Sequence, residues 1–555
     1  MKKLFIIIGI MIAATAAITA QPSWTKRAAK SVFTLKTFAA DGTLIASATG
    51  VFTTDDGTAI SAFTPFAGAQ RAVVIDAQGK EWPVTAMLGA NETYDVARFR
   101  VAAKKTQPLT LAGRADEGDN VYLLTYRDTK SSRQGTVRRA EPFNEYYRYY
   151  TVDMTAPDNS LGAPLMNSQG ELVGLLQLPA REGDTLSYAV SATFADSLHI
   201  SGLSLNDATL RKTAIKKDLP ATLEQAQVTM FMAESTLDSA AYATLVDDFI
   251  AKFPTAPDGY VYRAQLLTAR QRFDEASRDM EQAINVADSK DEPHFSYSKL
   301  IYNKELYLTD APYPAWTLDK ALDEARQAEA INPLAAYRRQ QAVVLYAQKK
   351  YREAYDVYTT LFASELRSPD LFFEASRCLQ QLSDSTGVLA MLDSCVAMFS
   401  RPYLKEAAPY LLMRAQTRMD YGQMRSAMAD LNDYEQLMAA SVNDKFYYLR
   451  HQVGVASRQF QQALNDIDRA ITLSPRNDLY YSEKASLQVR VGLYDDAITT
   501  ARQCIDVAPT HSDGYLFLGL AQCLKGQKAE GVKNLQRAHE LGDEQAASLI
   551  EQYGR

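Results

Sequence analysis

Polar and apolar residues alternate in short stretches from Ser31 to about residue 200, and turn residues interrupt them about every ten positions. Ser31-Val32-Phe33-Thr34-Leu35-Lys36 runs toward Asp41-Gly42, Gly50-Val51-Phe52-Thr53 toward Asp56-Gly57, and Ala72-Val73-Val74-Ile75 toward Gln78-Gly79. Glu171-Leu172-Val173-Gly174-Leu175-Leu176 follows Gln169-Gly170 in the same manner. Side chains of a strand point alternately to its two faces, so this period, with Gly-bearing turns between the runs, predicts an antiparallel sandwich or barrel. This part of the chain is expected to be nearly all β.

From about Leu223 the rhythm changes. Ala, Leu, Gln and Tyr recur at helical spacing under a longer period, because Asp444 to Pro475, Asp478 to Pro509 and Ser512 to Gly542 begin 34 residues apart. Phe460, Ala463, Ile467, Ala470 and Pro475 correspond to Tyr494, Ala497, Ala501, Cys504 and Pro509, and these to Lys528, Gly531, Leu535, Ala538 and Gly542. Fixed self-similarity at this period predicts a solenoid of helical pairs. Ala485 and Gly519 fall where the first helix of a pair must approach the second closely, Ala463 and Ala497 meet the same need from the second helix, and the terminal proline stops it. The segment resembles the tetratricopeptide repeat family. Looser copies precede it: Leu223 to Pro254, Gly259 to Asp288, one ending Ala321, Ala325, Ala328, Pro333, then Ala336 to Leu361, Asp370 to Phe399 and Pro409 to Leu437. About nine units are expected.

Three landmarks of the β half resemble the trypsin-like serine peptidases, especially the bacterial envelope heat-shock type. Ala48-Thr49-Gly50-Val51-Phe52-Thr53-Thr54-Asp55-Asp56-Gly57-Thr58-Ala59-Ile60-Ser61 is similar to the strand pair leading to the catalytic histidine, and Thr93-Tyr94-Asp95-Val96-Ala97-Arg98-Phe99 to the segment carrying the aspartate. Asp158-Asn159-Ser160-Leu161-Gly162-Ala163-Pro164-Leu165-Met166-Asn167 is similar to the nucleophile loop. By that register the histidine position is Thr64, the aspartate position Asp95 and the serine position Leu161. Triad chemistry needs an imidazole to take the serine proton and return it to the leaving amine; threonine cannot accept that proton and leucine offers no nucleophile. Between Gln21 and Leu198 there is no histidine at all. The resemblance therefore implies a pseudo-peptidase with no catalytic residues, the degenerate positions being Thr64, Asp95 and Leu161. The alternative is a serine peptidase with a rearranged, non-triad site using Ser160. Gly162 is open to two readings, a loop with backbone N–H groups facing a cleft or a tight turn that needs glycine. The run Tyr146-Tyr147-Arg148-Tyr149-Tyr150 is read either as a contact patch or as one half-buried strand.

A chain of 555 residues exceeds one hydrophobic core. The expected architecture is multidomain: a signal peptide over 1–20, an all-β double-barrel trypsin-like domain over 25–202, a linker over 203–222, and an all-α tetratricopeptide superhelix over 223–555. The signal reading rests on Lys2 and Lys3 before the apolar run Leu4 to Ala14 and the small residues through Ala20. It implies an exported protein, periplasmic or secreted, with no stable membrane insertion after cleavage. Loss of Lys2 and Lys3 leaves 57 basic against 66 acidic residues, a mature charge near −9, which argues against nucleic acid. The partner expected instead is a protein or peptide of the cell envelope.

In the solenoid the first helix of each pair lines the groove, so Gln265, Tyr346, Gln416, Tyr448, Gln452, Ser482 and Ser486, alongside Leu412, Leu479 and Val489, are the candidate peptide contacts. The four cysteines, Cys378, Cys395, Cys504 and Cys523, all lie in the helical half at spacings unlike a zinc site. Free buried thiols and one bridge per pair (378/395 and 504/523) both remain open, and neither a metal nor a cofactor is implied. The function expected is an exported interaction scaffold with an inactive trypsin-like domain and a peptide-binding solenoid.

Overall fold

The alternating half folds, in a computed structural model, as two closed six-stranded barrels. The first contains β1 (Val32–Phe38), β2 (Leu44–Phe52), β3 (Thr58–Ser61), β4 (Arg71–Ile75), β5 (Glu81–Asn91) and β6 (Val96–Val101), in the order β1-β2-β3-β6-β5-β4. The second contains β7 (Asn120–Leu124), β8 (Ser132–Phe143), β9 (Tyr147–Asp153), β10 (Pro164–Met166), β11 (Leu172–Leu176) and β12 (Ser187–Ser191), in the order β10-β11-β12-β9-β8-β7. All named pairings are antiparallel. The structure describes residues 21–112, 114–125, 132–179 and 184–554. The expected signal at 1–20 lies outside them. No helix among the described residues is long and apolar enough to cross a membrane.

Period-two alternation sorts the strands into three cores. Phe33, Leu35, Val74, Met87 and Phe99 fill the first barrel, and Val121, Leu123, Tyr150, Val152 and Leu165 the second. Their neighbours on the opposite faces, Val32, Val51, Ile60 and Val96 from one barrel and Met166, Leu172, Leu175 and Val190 from the other, meet between the barrels together with Trp24. β11, buried on both faces, reads as an unbroken apolar run for that reason. The 203–222 stretch, expected as a linker, is packed on both sides, part of it into the first barrel and Leu205 and Leu219 against the first helices. Leu210 and Ile215 are buried in the barrel core, and the Met87 N–H donates to the Lys216 carbonyl at 2.7 Å while Asp218 N–H donates back to Met87 at 2.9 Å.

The chain divides into two units, Met1–Ala287 and Asp288–Arg555. Beyond the barrels the first unit holds two helical pairs, Leu223–Thr236 with Ser239–Lys252 and Pro257–Ala269 with Phe273–Val286. The second unit holds seven pairs among its described residues, from Asp291–Tyr307 with Leu318–Ile331 to Ser512–Leu524 with Lys528–Glu540, and a last helix Glu544–Tyr553. Thr222, Asp238, Thr317, Ser368, Asp384, Asn443 and Asp543 cap helix starts by accepting backbone N–H bonds. The repeat alanines Ala264, Ala276, Ala415, Ala427, Ala463, Ala485 and Ala497 are fully buried where the helices of a pair meet.

His451 departs from that pattern, standing 34 residues before Ala485 in the small-residue position. It is 1% exposed and its Nδ1–H donates to the Ala463 carbonyl at 2.9 Å. The space is recovered one turn on, where Gly454 faces Ala463 so closely that an added Cβ would stand 2.9 Å from the alanine Cβ.

Successive pairs are tied by side chains that the apolar pattern does not reveal. The Tyr337 hydroxyl donates to Asp291 at 2.9 Å, Tyr480 to Asp444 at 2.8 Å, and Tyr410 to Asp370. Hydroxyl donation from Ser289, outweighing the opposing effect of burial and aided by Asn332 and Tyr337, holds the Asp291 carboxyl down at about 2. A carboxyl depressed in the folded state stabilises the fold above its unfolded value, 3.8, and that stabilisation is lost as pH falls toward 2. Denaturant midpoints of the second unit measured between about pH 5 and pH 2 should therefore fall less in Asp291→Asn than in the wild type.

Candidate peptide-binding sites

Thr64, Asp95 and Leu161 each stand beside a strand end of the two barrels, after β3, before β6 and before β10 respectively. The Thr64 N–H donates to Asp95 Oδ1 at 2.6 Å and the Thr64 hydroxyl donates to the same oxygen at 2.9 Å. In a working triad the carboxylate holds an imidazole tautomer through one ring N–H; here a methyl-bearing alcohol with no basic lone pair at neutral pH takes that bond. Asp95 itself adopts φ 50°, and the preceding residue is anchored by Gln177, whose Nε2–H donates to the Tyr94 carbonyl at 2.5 Å.

The loop around Leu161 is fastened to the first barrel, since Thr49 N–H donates to the Leu161 carbonyl at 2.8 Å. Gly162 has φ 75°, and a Cβ there would meet the Thr49 carbonyl oxygen at 2.2 Å and Ser61 Oγ at 2.8 Å. Its N–H donates to the Leu176 carbonyl at 2.8 Å and that of Ala163 to Ser160 at 2.9 Å. Of the two readings of Gly162, the tight turn is the one the structure has, because its N–H is taken by Leu176 at the end of β11 and the turn is closed by the Ala163 bond to Ser160. Ser160 is 4% exposed and its hydroxyl donates to the Pro157 carbonyl. Beside the loop lies a cavity of about 410 Å³ lined by Ser47, Asn159, Ser160, Leu161, Gln177 and Leu178 among others.

The tyrosine run separates by strand position. Tyr146 is 79% exposed at the β8–β9 turn, Tyr147 and Tyr149 are half-buried, and Tyr150 lies in the second barrel's core. Tyr94, Phe143, Tyr147 and Phe194 pack ring on ring, with Tyr94 and Phe143 stacked at 4.1 Å. The cluster includes Tyr94, the residue preceding Asp95, and alternation does not reveal it because Tyr94, the β8–β9 hairpin and Phe194 are far apart in sequence.

The solenoid candidates fare unevenly. Gln265, in the first unit, and Gln416 and Gln452, in the second, are exposed. Tyr346 is half-buried with the Arg377 guanidinium 5.0 Å from its ring centroid. Tyr448 stacks on His451 and reaches across to the next pair, donating to Glu483 at 3.2 Å, and Ser486 is half-buried nearby in sequence. Ser482 is 4% exposed and its hydroxyl donates to Leu479 of its own helix, so it presents nothing to a ligand. Leu412 and Val489 are half-buried, whereas Leu479 is exposed. Apolar periodicity does not point to Arg339, Glu374 and Arg377: Arg339 forks onto Glu374 with Nε at 3.0 Å, and Tyr302, its hydroxyl pKa raised by burial, lies in the field of Glu374 and Arg377. Also missed were the Arg–Asp pairs at a spacing of 16, namely Arg263 with Asp279, Arg414 with Asp430 and Arg450 with Asp466, each a two-pronged bond between the helices of one pair. Matching charged residues in register between repeats would have found them.

All four cysteines are free and buried. Burial pushes the thiols of Cys378, Cys395 and Cys504 up to about 12 and raises Cys523 as well, so these are inert core residues.

Residues 48–175 match the family described as trypsin-like peptidase domain. Among curated proteins, small glutamine-rich tetratricopeptide repeat-containing protein 2 of Saccharomyces cerevisiae is 25% identical over 96 residues, 17% of this chain and 28% of that protein. DnaJ homolog subfamily C member 7 homolog of Dictyostelium discoideum is 20% identical over 327 residues, 56% of this chain and 52% of its own length. The chain thus spans between about a quarter and a half of these two relatives. Among solved structures, the serine endoprotease from Yersinia pestis matches with a TM-score of 0.29 at 18% identity, covering 32% of this chain and 65% of that one. The family match on the barrels and the tetratricopeptide relatives of the helices agree with the architecture, and the chain joins a trypsin-like domain to a tetratricopeptide repeat solenoid.

Proposed function

We propose that this is an exported interaction scaffold whose trypsin-like domain binds polypeptide without cutting it and whose solenoid engages a protein partner of the cell envelope. One observation carries the reading: the carboxylate that would orient an imidazole is occupied by Thr64, through both its N–H and its hydroxyl. Leucine at the nucleophile position removes the attacking group, and no histidine lies between Gln21 and Leu198 to serve another hydroxyl. Ser160, the remaining hydroxyl of that loop, is buried and its proton points to a carbonyl rather than to a base. A serine nucleophile without a general base lacks the activation that makes it reactive at neutral pH. Export rests on the charged and apolar pattern of residues 1–20.

A fluorophosphonate probe added to the purified full chain tests the chemistry: labelling should be no greater in the wild type than in Ser160→Ala, and Ser160-dependent labelling would restore the peptidase reading. Crosslinking in intact cells with an envelope-restricted reagent tests the location: adducts of the chain with envelope proteins are expected, and a chain that is present in the cells but forms no adduct is the contrary result.

A further inference from the structure

Where the first barrel meets the first helical pair there is a cavity of about 510 Å³, a volume suited to a small organic molecule. Leu88, Ile200 and Leu219 give it an apolar lining, and charged side chains line it as well. Arg98, Arg100, Lys252 and the imidazole of His199 face it, with Asp218 as its one carboxylate among the described lining residues. The cations differ in how they are held. Arg100 Nη1 pairs with Asp56 at 2.7 Å, outside the cavity lining, and Lys252 Nζ lies 3.4 Å from Asp218 while donating to the Leu219 carbonyl at 2.5 Å. His199 is exposed, its Nδ1–H donating to the Ser197 carbonyl at 2.8 Å. Arg98 Nη1 donates to the Leu198 carbonyl at 3.3 Å, and Arg98 pairs with no carboxylate among the described residues.

A half-buried guanidinium normally finds an anion, because desolvating its charge without one is costly. We propose that this cavity binds an aliphatic carboxylate, the anion on the fork of Arg98 and the hydrocarbon along Leu88, Ile200 and Leu219. The planar fork of arginine matches the two oxygens of a carboxylate, and the apolar lining selects an acid with a hydrocarbon body over inorganic phosphate. Leu88 and Arg98 belong to β5 and β6, whereas Leu219 leads into the helix Leu223–Thr236. A bound acid therefore bridges the barrel and the helical pair, and by mass action it stabilises their docking.

Titration calorimetry of the full chain with octanoate, acetate and octan-1-ol tests this. One octanoate per chain is expected, with acetate and octan-1-ol each bound about tenfold more weakly or worse, since one lacks the body and the other the charge. Arg98→Met should weaken octanoate by about tenfold. His199→Asp, a change at an exposed rim position, should weaken it by repulsion without unfolding the barrel, and so keeps the test decisive if Arg98→Met folds poorly. No octanoate binding, octan-1-ol bound as tightly as octanoate, or unchanged octanoate affinity in His199→Asp would overturn the proposal.

Discussion

Replacing Arg450 with methionine is expected to destabilise the second unit by about 3–5 kcal/mol, the range for a buried ion pair that loses one partner. The Arg450 and Asp466 side chains are 4% and 1% exposed, and Nε and Nη2 of the arginine bond the two carboxylate oxygens at 3.0 and 2.6 Å. Arg450 also bonds Glu435 at 2.7 Å through Nη1. Burial lifts the Asp466 carboxyl above its usual range against the pull of Arg450, so the arginine is what keeps that charge tolerable. Without it the carboxylate must either stay charged in an apolar setting or take up a proton. Guanidinium unfolding followed by circular dichroism checks the size of the loss. Replacing both partners, Arg450→Met with Asp466→Leu, should return much of the stability, because the cost arises from an orphaned charge rather than from a missing bond.

Gly519→Val should cost about 3 kcal/mol, at the upper end of what overpacking a tight site costs. A Cβ at position 519 would stand 2.7 Å from the Gly531 carbonyl oxygen, 2.8 Å from Leu535 Cγ and 2.9 Å from the Leu535 N. Two of those three are backbone atoms of the partner helix, so the pair Ser512–Leu524 and Lys528–Glu540 must spread to admit the side chain. The thermal midpoint of the second unit reports it, and Gly492→Val, at a turn where an added Cβ meets nothing within 4 Å but φ is 81°, gives the cost of backbone strain alone for comparison.

Gly519 was legible in the sequence because small residues recur in register at Ala485, Ala497 and Gly531, as close helix approach favours, His451 being the departure. The barrels were legible for a similar reason: β1 alternates between buried and half-buried positions, so Phe33 and Leu35 announce themselves. The stretch 203–222 did not, since Leu210 and Ile215 are buried by a course with no regular period. The Arg–Asp pairs and the tyrosine links to Asp291, Asp370 and Asp444 escaped as well. Burial of a charged group depends on a partner that a scan for apolar periodicity does not look for. At the barrel site, resemblance to the trypsin-like peptidases put Thr64 and Asp95 at the histidine and aspartate positions, and in the structure the two, 31 residues apart, are hydrogen-bonded. Register could not show that Ser160 turns its hydroxyl to Pro157, or that Ser482 faces its own helix, because both depend on local turn geometry.

Prolonged incubation of the purified full chain with an unfolded protein substrate, followed by mass analysis of all peptides, tests most directly whether the barrels can cut. Fragment yields are expected to be equal for the wild type, Ser160→Ala and Asp95→Asn. Fragments made by the wild type and absent with Ser160→Ala would contradict the account.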